Sequence, residues 1–342
     1  MPVDRDESLR RRRLAAQRLV PEAAAVDAVD AARAVLGIQA QDLRAAGLAV
    51  RVRAADAVPS DLIGPELVRT WTVRGTAHLL AADDLPWIDA LTGPRNRRRF
   101  DALMTKRSNL ETAEAIRPVA LELLAAGPLT RAELLELLDE RGMPSLGPHS
   151  VNVLMPWLAS TGEVIGAADG SFRRADPPAA VNPDEALATL GRRYLEGYGP
   201  AGPEDLARWS GLPITACRRA LADVPGAEEA GEGLLGLAGA PEPEPPPARM
   251  LGAFDTSLLG WRDRNLFVDP DHSDRLLPGG GVIRAVVLAS GRAAGTWRVE
   301  GSGRRRRVAF DWFGRRRPPA SALAAEIEAV GDWLGLELEP AS

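Results

Sequence analysis

One cysteine, Cys217, rules out a disulfide within this chain. Lysine is almost as scarce: Lys106 is the only one among 42 basic residues, and the rest are arginine. Amine nucleophiles are therefore rare, whereas planar multi-donor groups suited to phosphate abound. Histidine is limited to His78, His149 and His272, far apart and without CxxC or HxxxH spacing. No zinc site is expected, nor any other metal or cofactor. No 18-residue apolar run is present to span a membrane. The opening MPVDRDESLRRRR lacks the apolar stretch of a secretory signal. These absences lead us to expect a soluble, cytoplasmic protein.

What is present is ordinary globular composition: 342 residues, 45% hydrophobic and 26% charged. That length suits two or three modules rather than one core. A formal net charge of −5 excludes a uniformly basic nucleic-acid binder but not a locally basic one. Residues 22–36 are Ala-rich with early acids, which predicts a helix. Before them runs Leu9-Arg10-Arg11-Arg12-Arg13-Leu14, read either as a solvated helix face or as an arm against phosphate. Residues 71–80 are β-formers interrupted at Gly75-Thr76, and a helix follows from Ala82 to Leu91.

Beyond residue 110 the order is helix (111–126), helix, helix (149–160), then strand, turn and strand (162–172). The middle helix starts on Thr130 with Glu133 three residues later, a capping box. This is the order of a winged-helix module. It recurs with helices at 183–198, from Pro203, and at 213–223, then a wing-like stretch from Gly226 to Leu237. Residues 240–247 (APEPEPPP) read as a stiff linker. After it come three β-rich runs over residues 282–312 and a closing helix at 320–334. The fold class expected is α+β: three tandem winged-helix modules followed by a C-terminal β-rich, half-barrel-like domain. The boundaries are 1–108, 109–180, 181–239, a linker at 240–248, and 249–342.

Gln39 and Gln41, in Ile38-Gln39-Ala40-Gln41, follow a helix that stops at Gly37. In a helix, residues i and i+2 diverge by about 200°; in extended backbone they share a side. Gly37 can take the left-handed conformation that ends the helix and frees the next residues to extend. The spacing therefore permits two amides to converge on one ligand; the alternative is an ordinary polar turn.

Three motifs in order resemble a known family. Gly37-Ile38-Gln39-Ala40-Gln41 is similar to its LGxQxQ motif. Residues 69–80 (RTWTVRGTAHLL) resemble its R-x-W-x-x-R-G-T-x-H-L motif. Residues 251–264 (LGAFDTSLLGWRDR) resemble its L-x-x-F-D-x-x-L-L-G-x-x-D-R motif. The family is the winged-helix DNA glycosylases of the AlkZ and YcaQ type. The resemblance implies three winged helices and a β-rich domain forming a duplex-sized channel. It also implies excision of alkylated purines, with interstrand crosslinks opened by some members. The Q-x-Q pair is the family's catalytic signature, carried here by Gln39 and Gln41; relatives with Q-x-D have a carboxylate at the second place. Val73 departs from the methionine common in relatives.

The chemistry is consistent with amides. Glutamine is uncharged and a poor base, which would be disabling for a normal purine. An N7-alkylated purine is already cationic and leaves as a neutral base, so no general acid is needed. An amide carbonyl can hold a water against C1′. The expected activity is that of a monofunctional DNA glycosylase that leaves an abasic site, with bulky adducts and interstrand crosslinks as further targets. Lys106 and Pro2 are poor candidates for a Schiff-base amine.

For DNA contact the candidates are Arg74 and His78 on the first wing, then Arg95, Arg97, Arg98, Arg99, Lys106 and Arg107 in the loop after the first module. Arg304 to Arg307 and Arg315 to Arg317 follow in the C-terminal domain, together with Arg264. His78 reads equally as a structural histidine, and Asp255, Asp263 and Arg264 equally as an ion-pair group. His149 and Asn152 lie on a candidate recognition helix. The partner expected is double-stranded DNA carrying alkylated purines, bound by a monomer without a membrane. The competing readings are a winged-helix transcriptional regulator, although regulators usually pair as dimers on half-sites, and an interaction protein that has lost catalysis.

Overall fold

The computed structural model describes residues 5–107 and 109–341; Pro2 lies outside them. The fold mixes helices and antiparallel strands, divided between two compact units. One unit is continuous, residues 62–190; the other joins residues 5–61 to residues 191–341.

The continuous unit opens with the hairpin Leu67–Trp71 and Ala77–Ala81, followed by the helix Leu85–Lys106. Helices Leu110–Ala126, Arg131–Glu140 and Val151–Ser160 come next, then the hairpin Val164–Gly166 and Ser171–Arg174. The middle helix begins on the expected capping box: Glu133 N–H donates to Thr130 Oγ1, and Thr130 N–H to the Glu133 carboxylate. Its Leu134 and Leu138, one turn apart, are buried with Met104, Ile116, Leu124, Leu154 and Leu158. The two hairpins are joined through one strand pair. Arg69 pairs with Gly166, so both lie in one antiparallel sheet, and Leu129–Thr130 adds a strand beyond Ser171–Arg174.

One expectation for this unit fails instructively. The sequence reading puts the basic cluster from Arg95 to Arg107 in the loop after the first module. The helix runs through Pro94 to Lys106. The residues beyond Pro94 are strong helix formers, and Phe100 and Met104, one turn apart, bury the same face.

The discontinuous unit begins with the helix Arg5–Ala16. The basic run is thus no free arm: Arg13 is buried, its Nε donating to Pro200 O at 2.9 Å and its guanidinium 4.7 Å from the Trp261 ring centre. The helix expected over 22–36 is confined to Ala28–Ala34, because Asp27 caps it by accepting from Asp30 N–H at 2.7 Å. A short strand, Ile38–Gln39, and the helix Leu43–Arg51 follow. From residue 191 the chain continues through the end of helix Pro183–Tyr198, helices Pro203–Ser210 and Ile214–Ala222, and the hairpin Ala227–Glu229 and Leu235–Leu237.

The C-terminal part is a five-stranded sheet curled as a half-barrel. In spatial order its strands are Glu337–Pro340, Arg305–Trp312, Arg292–Glu300, Val286–Ala289 and Ala248–Leu251. All neighbours are antiparallel except the pair Arg305–Trp312 and Glu337–Pro340. A register shift at Val287 and Leu288 bends the sheet. Helix Ala320–Leu334 covers one face, burying Ile327 and Val330 against Met250, Val287, Trp297 and Val308. Leu48, from the helix just after the glutamines, completes that core.

Candidate active site

The two glutamines converge. Gln39 Nε2 donates to Gln41 Oε1 at 2.8 Å; Gln39 is 7% exposed and Gln41 is exposed. The pair therefore has a fixed inner amide and an outer amide open to a ligand. Its backbone is set at both ends. Upstream, Leu36 N–H bonds Arg33 O at 3.2 Å and Gly37 N–H bonds Ala32 O at 2.9 Å, which closes the helix as a Schellman motif. The left-handed residue of that motif is Leu36 (φ 56°), not Gly37 as expected; Gly37 extends the turn with φ 103°. A leucine held there costs about 1–2 kcal/mol and needs its surroundings to hold it. Downstream, Asp42 caps the next helix, accepting from Ala45 N–H at 3.0 Å.

The hold on Leu36 comes from far along the chain. Tyr198 OH donates to Val35 O at 2.8 Å and accepts from Trp209 Nε1 at 3.0 Å. Arg193 donates to Arg33 O at 2.6 Å. Gly197 lies so close that a Cβ there would stand 2.2 Å from Ala34 O. Tyr194 and Tyr198, the chain's only tyrosines, stack on each other at 4.9 Å and pack on Trp209. Sequence reasoning did not single them out. Their i, i+4 spacing on a helix was the available signal.

In the continuous unit, the second motif builds a tight turn. Arg74 (φ 55°) and Gly75 (φ 69°) are both left-handed. Asn96 Nδ2 donates to Trp71 O at 3.0 Å and Thr72 O at 2.8 Å, and Arg99 Nη1 donates to Arg74 O at 2.7 Å. His78, counted among the DNA contacts, is 4% exposed. Its Nδ1 lies 2.9 Å from Thr76 O and 3.2 Å from Thr72 Oγ1. Burial, then the Arg74 charge, pushes its pKa down to about 4, against the opposing pull of the Thr76 carbonyl. The ring thus sits neutral beneath the turn, which corrects its placement as a surface group. Arg74 itself is half-buried at the tip.

The remaining candidates divide by exposure. Arg95, Arg98, Arg99 and Lys106 are exposed along helix Leu85–Lys106, with Arg95, Arg99 and Lys106 at steps of four and seven that keep them on one side. Arg97 is partly engaged, donating to Ser160 O at 3.1 Å, and exposed Arg107 donates to His149 O at 2.6 Å. Arg304 and Arg305 are exposed and paired with Glu337 at 3.3 and 3.5 Å. Such exposed pairs are weak enough to exchange for phosphate. Arg264 is half-buried, its Nε donating to Leu258 O at 2.5 Å.

Asp255 is not a surface group. Arg53 Nη1 and Nη2 each donate to one of its oxygens at 2.8 Å, and neither side chain has any exposure. Burial alone would raise its pKa, but Arg53 and Ser257 reverse that and hold it below the usual carboxylate range. Its role is that of an internal ion pair. Among the described residues there is no group of three or more His, Cys, Asp or Glu placed to hold a metal, and no helix long and apolar enough to cross a membrane.

A mixed fold with a half-barrel sheet, carrying an amide pair held on a closed helix end, defines a class that comparison identifies. The family model of AlkZ-like DNA glycosylases matches residues 32–333, and the chain belongs to that family. It is accordingly a DNA glycosylase. An interstrand DNA cross-link repair glycosylase of Streptomyces sahachiroi is 26% identical over 304 residues, covering 80% of this chain and 82% of the relative. The solved structure of the Streptomyces sahachiroi DNA glycosylase AlkZ shares the fold, with a TM-score of 0.73 and 22% identity over 98% of this chain and 99% of that one. The family sets the regulator reading aside.

Proposed function

We propose that this glycosylase removes cationic N7-alkylated purines from duplex DNA as a monofunctional enzyme. The observation that carries this is the Gln39–Gln41 pair, amide on amide at 2.8 Å. An amide pair supplies position and a dipole without a strong base. That is sufficient only for a leaving group that is already cationic. Exposed Gln41 aligns water with C1′, and buried Gln39 orients Gln41. The cross-link repair relative supports extending the substrates to bulky and cross-linked N7 adducts.

We take the helix, helix, helix and hairpin order of residues 109–180, and its likeness at 1–108 and 181–239, as three winged helices acting in one monomer. Half-buried Arg74 and the exposed Arg98, Arg99, Lys106, Arg107, Arg304 and Arg305 then serve as backbone contacts.

The test is excision of N7-methylguanine from a labelled duplex, read as alkali-labile abasic sites. Gln39→Ala and Gln41→Ala should each slow excision by on the order of tenfold or more with DNA affinity unchanged. Full activity in both variants would refute the assignment.

A further inference from the structure

Six arginines have a buried Nε without a hydrogen-bond partner among the described residues. Five are anchored through their terminal nitrogens: Arg11 to Glu7 and Glu244, Arg18 to Ala23 O, Arg51 to Glu326, Arg53 to Asp255, and Arg117 to Glu163. Arg10 has no such anchor among the described residues, although it is only 7% exposed. It lies one turn before Leu14 on helix Arg5–Ala16, so the two share a face. That face meets the turn before strand Arg292–Glu300: a Cβ on Gly291 would stand 2.6 Å from Leu14 Cδ1. Half-buried Arg292 follows that turn, and exposed Arg316 lies on the loop after strand Arg305–Trp312, which Phe313 N–H ties to Ala294 O at 2.9 Å beside the start of strand Arg292–Glu300. Neighbouring Arg317 is occupied over the Trp312 ring, 4.4 Å from its centre. Burial, then the charges of Arg292 and Arg316, lowers the Arg10 pKa, with Glu7 and Asp6 opposing. Glu7 is itself committed to Arg11.

A buried guanidinium without a hydrogen-bond partner at Nε among the described residues costs folding free energy unless a ligand brings the counter-charge. We infer that Arg10, Arg292 and Arg316 form an anion site for a phosphate group, supplied by the backbone phosphodiester of bound DNA. Guanidinium forks match phosphate oxygens in pairs, and a half-enclosed site strengthens each contact. The site uses elements that carry neither glutamine. It gives a role to Arg10 and Arg316, one residue from each of two basic runs that the amide chemistry leaves unexplained. The assignment rests on the enzyme gripping duplex DNA.

The test is the salt dependence of full-length protein binding to an undamaged duplex, for wild type, Arg10→Gln, Arg292→Gln and Arg316→Gln. Each variant should lose roughly five- to tenfold in affinity near 0.1 M salt and lower the log–log slope by about one. Without DNA, Arg10→Gln should melt at or above wild type, because an unpaired buried charge is removed. Should Arg10→Gln fail to fold, exposed Arg316→Gln carries the test. An unchanged slope in these variants overturns the inference. Stabilisation by inorganic phosphate that the variants lose while DNA binding stays intact assigns the site to a free anion and overturns the backbone assignment. Wild type that binds no duplex at all would instead sink the DNA-gripping reading beneath it.

Discussion

The two glutamines are not equivalent, and the difference lies in which amide group each presents. Gln39 is the donor and Gln41 the acceptor in their shared bond. A glutamate at 41 can still accept from Gln39; a glutamate at 39 sets two acceptors face to face unless Gln41 rotates its amide, which turns Oε1 away from the position it holds now. Single-turnover excision should therefore fall on the order of tenfold further in Gln39→Glu than in Gln41→Glu, the worth of about one hydrogen bond. Equal losses would mean that the polarity of the pair does not matter. His78 is the second residue with a measurable consequence. Its pKa is lowered from 6.5 to about 4 in the folded chain, so the unfolded chain binds the proton more readily. Its contribution is complete above about pH 6.5 and is lost as pH falls towards 4, on the order of 3 kcal/mol over that window. A melting temperature that falls between pH 6.5 and 5 in wild type, with a shallower fall in His78→Gln, is the expected result; identical profiles would contradict it.

At the scale of elements, the site is a helix end kept closed by a second helix. Tyr198 OH is shared between Val35 O and Trp209 Nε1, both within the core. Tyr198→Phe removes both bonds and should cost about 1–3 kcal/mol of stability. It also releases the left-handed Leu36, three residues before Gln39. The excision rate at saturating DNA should drop while DNA affinity holds; loss of stability alone would make Tyr198 merely structural. The separation of 163 residues between Tyr198 and Val35 explains what sequence reading reached and what it missed. The i, i+2 spacing of the glutamines is local, so their convergence was legible. The capping box at Thr130, the hairpin from Val164 and the helix ending at Leu334 are local as well. Contacts closed across the fold were not legible: the tyrosine clamp, the edge strands Ala248–Leu251 and Glu337–Pro340, and the burial of Arg10 and Arg13 within a run that reads as solvent-facing. Local rules also misled where packing overrode them, as at Pro94 within helix Leu85–Lys106 and at Leu36 in the place where glycine was expected.

For the molecule as a whole, the third motif does structural work that its acidic and basic residues conceal. Arg53 closes the N-terminal segment and Asp255 opens the C-terminal domain, 202 residues apart, and their bidentate pair is fully enclosed. Arg53 Nη2 also donates to Thr256 Oγ1 at 2.8 Å and reaches Gln17 Oε1 at 3.2 Å, so three distant segments meet at one guanidinium. Removing one partner strands a buried charge, which typically costs about 3–5 kcal/mol, whereas replacing both by apolar groups of similar volume is often close to neutral. Asp255→Asn should therefore lower the melting temperature of the discontinuous unit steeply, and Arg53→Met combined with Asp255→Leu should recover much of that loss. The pH dependence follows from the lowered pKa of Asp255. Its contribution is complete above the ordinary carboxylate range near pH 4 and disappears as pH falls through the lower folded value. Acid unfolding of wild type should carry this component below about pH 4, and the double variant should lack it. A double variant as unstable as Asp255→Asn, with the acid component intact, would show that the junction is held by packing and not by this pair.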